Sequence, residues 1–80
     1  MQLVRMRSGH GDELLAEGDP ALAEDEARLI EAFRRQLDLG MWAAVPTGSA
    51  GRREAIRVRD FDEVPADADR IIFIPPAVGG

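Results

Sequence analysis

Arg70-Ile71-Ile72-Phe73-Ile74-Pro75-Pro76-Ala77-Val78-Gly79-Gly80 changes character twice within a few residues. Residues 71–74 are apolar without a break, which suits a strand with neighbours on each side, since both of its faces then meet other parts of the chain. Pro75-Pro76 ends that strand, because proline has no N–H for a sheet ladder. Ala77, Val78, Gly79 and Gly80 carry too little apolar surface to fold against anything. The most apolar strand belongs in the middle of a sheet. Pairing it beside the first strand would put the early and the later strands on opposite flanks.

The preceding residues supply those flanks. Residues 1–7 alternate, with Val4 and Met6 on one face and Leu3, Arg5 and Arg7 on the other. Ser8-Gly9-His10-Gly11-Asp12 reads as a turn, and residues 13–17 as a return strand built on Leu14, Leu15 and Ala16. A helix is expected over 20–39, with Asp19 as its cap and Pro20 in its first position. Glu24, Asp25 and Glu26 fall near its positive end, Arg34 and Arg35 towards its negative end, and Gly40 at its stop. Leu22, Leu29, Ile30, Phe33 and Leu37 make its apolar stripe. Residues 41–45 have strand length and end at Pro46, and residues 47–51 form a loop. Residues 54–59 alternate, with Ile56 and Val58 opposite Ala55, Arg57 and Arg59. Residues 60–69 read as a turn-rich connection from which Phe61 and Val64 enter the core. The whole is an α+β roll: a mixed sheet of four or five strands packed on one helix over residues 1–74, with a flexible tail over 75–80.

Composition narrows the function classes. Eighty residues make one domain with a modest core, and there is no cysteine to staple it or to act as a nucleophile. A net charge of −5 argues against a nucleic-acid partner. No apolar run approaches the length of a membrane span, so a cytoplasmic protein is expected. His10, the single histidine, lies in a turn with no serine, cysteine or carboxylate arranged to work with it. Asp60, Asp62, Asp67 and Asp69 lack the ligand spacing of a calcium loop, and the glycines at 48 and 51 are not followed by Gly-Lys-Ser/Thr. No metal, no cofactor and no enzymatic activity of its own are expected. All ten basic residues are arginine, so the Met1 amine is the one primary amine in the chain.

In a strand over 70–74, Ile72 and Ile74 face away from Ile71 and Phe73, and only one pair can lie under the helix. The other is expected to join the Val4 or Leu3 face and Trp42 in an apolar patch bordered by Arg57 and Arg59, unless the 60–69 connection covers it.

The layout and the tail together resemble the ubiquitin-like β-grasp superfamily over the whole chain: Met1-Gln2 opening a strand, a glycine-containing hairpin, a helix in the second quarter and a final Gly79-Gly80. Asp69 leading into the apolar strand, then Pro75-Pro76-Ala77-Val78-Gly79-Gly80, is similar to the bacterial sulfur-carrier branch and to bacterial ubiquitin-like modifiers encoded beside activating enzymes. The resemblance implies that Gly80 carries the working carboxylate. An adenylating enzyme of the ubiquitin-activating type would activate it at the expense of ATP. Glycine at 79 and 80 suits passage through a narrow channel, and Pro75, Pro76, Ala77 and Val78 form a spacer. The modifier reading adds a conjugating enzyme, a deconjugating protease and target proteins whose amines accept Gly80. The sulfur-carrier reading makes Gly80 a thiocarboxylate for molybdopterin- or thiamine-type biosynthesis. A non-covalent binding module is the third reading. Ile72, Ile74, Arg57 and Arg59 are the expected partner-binding residues in each.

Overall fold

A computed structural model of the chain describes residues 1–7, 9, 11–47 and 54–76. The elements run β1 (Gln2–Arg7), β2 (Gly11–Glu17), α1 (Ala23–Asp38), β3 (Trp42–Pro46), β4 (Ala55–Val58), a 3-10 turn at Phe61–Glu63 and β5 (Arg70–Ile74). They form one mixed sheet in the order β2-β1-β5-β3-β4. The apolar strand β5 lies in the middle, parallel to β1 and antiparallel to β3, as its sequence implies.

One face of this sheet is covered by α1. Leu3, Ala43, Val45, Val58, Ile71 and Phe73 project from the strands to meet Leu29 and Phe33 of the helix, and all are buried. Phe33 sits between two rings edge-on, Phe61 at 5.8 Å and Phe73 at 5.7 Å between centroids. That geometry adds to the burial of three large side chains. The 60–69 connection therefore packs on the helix side, where Phe61, Val64 and Ala68 are half-buried against the core.

The helix begins later than its sequence suggests. Leu22, just before it, has extended backbone (φ −96°, ψ 124°). Asp19 makes a local turn in place of a cap: its Oδ1 accepts from the Ala21 N–H (2.9 Å) and its carbonyl from the Leu22 N–H (2.9 Å). Short polar side chains offer the backbone such an alternative, and Pro20 fits the second position of the turn. Leu22 thus leaves the expected stripe and is exposed. Asp25 reaches back to accept from the Asp19 N–H (2.9 Å) and also takes the Arg28 guanidinium. The backbone hydrogen bond, then Arg28, hold the Asp25 carboxyl below its ordinary range.

The buried stripe is Leu29, Phe33 and Gln36, while Leu37 and Ile30 are only half-buried. Gln36 thus takes the core position expected for Leu37, and its Oε1 has no hydrogen-bond partner among the described residues. The end of the helix explains the fate of Met41. Gly40, at φ 88°, donates to the Leu37 carbonyl (2.9 Å), and Met41 donates to the Gln36 carbonyl (3.0 Å). This left-handed cap turns Met41 into the core, so β3 starts one residue later than expected, at Trp42, and takes in Pro46 as its last residue. β4 is shorter than the expected 54–59, and β2 begins at Gly11, earlier than the expected residue 13. A bulge between Leu3 and Val4 pairs them with Ala16 and Leu14, so Leu15 and Ala16 both pack towards the core and Leu14 falls on the other face.

Three outcomes follow from this packing. Phe33→Ala should lower the unfolding free energy by about 3–5 kcal/mol in urea denaturation. Gln36→Met should raise it by about 1 kcal/mol, because a buried oxygen without a partner is replaced by a side chain of similar length. Asp25 has its native carboxyl lowered from 3.8, so its contribution is complete above that value and lost as pH falls through the depressed one. Stability measured as the pH is taken well below 3.8 should therefore fall less in Asp25→Asn than in the parent chain.

Candidate functional site

The second face of the sheet carries the candidate site. Strand pairing lines up one row across all five strands: Leu14 opposite Val4, Val4 opposite Ile72, Ile72 opposite Ala44 and Ala44 opposite Arg57. A neighbouring row pairs Met6 with Asp12 and Ile74 with Trp42. The next row on the other side is polar and holds Glu17, Gln2 and Arg70. Alternation forces this division. Ile71 and Phe73 turn under α1, so Ile72 and Ile74 must face outward.

The band is exposed where it lacks a cover. Leu14 (54%), Met6 (47%), Trp42 (44%) and Ile74 (38%) are the open hydrophobics, around a screened centre of Val4, Ile72 and Ala44. Because residues 60–69 pack on the opposite face, they leave it open. At its β4 end the Arg57 guanidinium lies 3.8 Å from the centroid of the Trp42 ring. Stacking there orders the cation and leaves its N–H edges free for a carboxylate. Arg59 follows β4, and its backbone N–H donates to Glu63 Oε1 (3.0 Å), so it stands at the corner between the open face and the helix side.

Of the expected partner-binding residues, Ile72, Ile74 and Arg57 come together on this face, and Arg59 sits at its corner. Leu14 is the addition. Strict alternation would have placed it with Ala16, and only the bulge separates them. Pro75 and Pro76 are exposed immediately after β5. Ala77, Val78, Gly79, Gly80 and His10 lie outside the described residues. The Met1 amine donates to the Gly18 carbonyl (2.8 Å) and is partly buried. Among the described residues, no group of three His, Cys, Asp or Glu side chains is placed to hold a metal ion, and no helix is long and apolar enough to cross a membrane.

Fold and site together define a class: a small α+β protein with one helix on one face of a mixed five-stranded sheet and an open apolar band on the other. Comparison with known proteins finds no matching family model, curated protein or solved structure.

Proposed function

We propose that this chain is a ubiquitin-like β-grasp protein modifier, acting in the cytoplasm as the substrate of its partners and not as a catalyst. The observation that carries the reading is the exit of β5. The central strand stops at Ile74, and two exposed prolines, Pro75 and Pro76, follow it directly, ahead of Gly79-Gly80 in the sequence. Two consecutive prolines hold a short segment extended and reduce the ordering cost when it docks.

The chemistry follows from the weakness of a carboxylate as an electrophile. The Gly80 carboxylate attacks the α-phosphate of ATP in an adenylating partner, and pyrophosphate leaves. A partner thiolate then displaces AMP to give a thioester, and an amine of the target protein displaces the thiol to form an amide. ATP belongs to the partner, and this chain needs no cofactor. Glycine at 79 and 80 keeps the approach to the nucleotide unobstructed. The Ile72, Ile74 and Arg57 face is the surface offered to that partner, with Arg59 at its corner.

Deleting Gly80 should abolish ATP–pyrophosphate exchange by the cognate activating enzyme and leave thermal stability unchanged, since every buried hydrophobic among the described residues lies between Leu3 and Phe73. Gly79→Val should be nearly as damaging, through its branched Cβ. Undiminished exchange by the truncated chain would overturn the proposal. Intact mass of the protein from its own host separates two fates of the adenylate. A conjugate adds a whole target protein, whereas a thiocarboxylate replaces one oxygen by sulfur.

A further inference from the structure

The open face is polarised from one edge to the other. On this face β2, at one edge, carries Asp12 and Glu17 and no cation. Glu17 is engaged by Gln2, whereas Asp12 forms no ion pair among the described residues. β4, at the other edge, carries Arg57 and is followed directly by Arg59, neither of which has an ion-pair partner there. Between these edges lies the apolar band, open at Met6, Leu14, Trp42 and Ile74.

We infer that this face is a homodimer interface, in which two copies pack sheet to sheet about a two-fold axis parallel to the strands, so that β2 of each lies over β4 of the other. The inference does not rest on the tail or on activation at Gly80; because the face is the one offered to the activating partner, the second copy and that partner compete for it, and the partner engages the monomer. A two-fold axis lying in the plane of such an interface has two simple directions. Across the strands, it sets β2 on β2 and β4 on β4, which brings carboxylates against carboxylates and guanidinium against guanidinium. Along the strands, it reverses the order of the sheet and brings Asp12 of each copy towards Arg57 and Arg59 of the other. Like charges disfavour the first and opposite charges favour the second.

The apolar rows suit the same axis. β5 is the middle strand, so Ile72 and Ile74 approach their own counterparts near the axis. Val4 then lies towards Ala44 of the other copy and Met6 towards Trp42, a large side chain against a small one and a thioether against an aromatic ring. Arg57 is already ordered by its stacking on Trp42, so less side-chain freedom is lost when it takes the carboxylate. Glu17, Gln2 and Arg70 form the polar rim, where water screens the approach of the two Arg70 side chains. The result is an aligned two-sheet sandwich with a helix on each outer side.

Sedimentation velocity on the full chain, from micromolar to millimolar at low salt, should show the mass rising from 8.7 kDa towards twice that value, with Trp42 emission shifting to the blue in step. Added salt should weaken the association. Asp12→Arg and Arg57→Asp should each weaken it about tenfold or more, and the two together should restore it, because the pair is regenerated with its signs exchanged. Both positions are exposed, and unchanged circular dichroism and melting would confirm that the variants fold. Ile72→Arg, at the centre, should abolish the dimer. A chain that stays monomeric throughout the concentration range overturns the inference. So does a dimer that tolerates both single charge reversals, or one that the double reversal fails to restore.

Discussion

Parallel pairing of β1 with β5 is the constraint from which the rest of the molecule follows. Leu3 lies beside Ile71 and Arg5 beside Phe73, so the first and last strands share one register at the centre of the sheet. A parallel pair cannot be closed by a tight turn, and here nearly the whole chain forms the crossover between its members. The hairpin partner β2 is thereby confined to one flank and the β3–β4 pair to the other. Fixing β5 between two neighbours also decides its faces. Ile71 and Phe73 go under the helix and Ile72 and Ile74 to the opposite side, since a strand alternates strictly.

The helix side is held by packing with no covalent help. The Phe33 ring joins the helix to β5 through Phe73 and to the last connection through Phe61. Among the described residues, few polar interactions support this core. The ion pairs of Arg7 with Glu13 and of Arg28 with Asp25 lie towards solvent, where such pairs contribute little. Burial of apolar surface is therefore the main stabilising term, and Gln36 is a local defect within it.

The same alternation that builds the core creates the open band. The described residues hold one α-helix, and it covers one face of the sheet. Trp42, Met6, Leu14 and Ile74 are what remains, with Arg57 stacked at one end. Such a surface suits recognition by another protein or another copy of the chain. The proposed work of the tail is separate from it: the sheet would provide the grip and the tail the reactive group.

Periodicity, turn chemistry and apolar runs were local signals, and they determined the element order, the central place of residues 71–74 and the burial of Leu29 and Phe33; alternation set Ile71 and Phe73 against Ile72 and Ile74, but only the packing of α1 chose which pair went inside. The Gly40 stop was equally legible, because few residues besides glycine accept a positive φ there. Tertiary structure alone decided the points where two local rules competed. Asp19 had the chemistry of a cap and also of a turn, and the turn won, moving the start of α1 to Ala23. Leu37 and Gln36 are adjacent on the helix, and its rotation against β2 chose Gln36 for the core. The bulge opposite Leu3 and Val4 is a single extra residue in one strand, visible only once the strands are paired, and it sent Leu14 to the open face. Whether the 60–69 connection covered that face depended on where Phe61 found aromatic partners, and those partners come from α1 and β5, which meet Phe61 only in the folded chain.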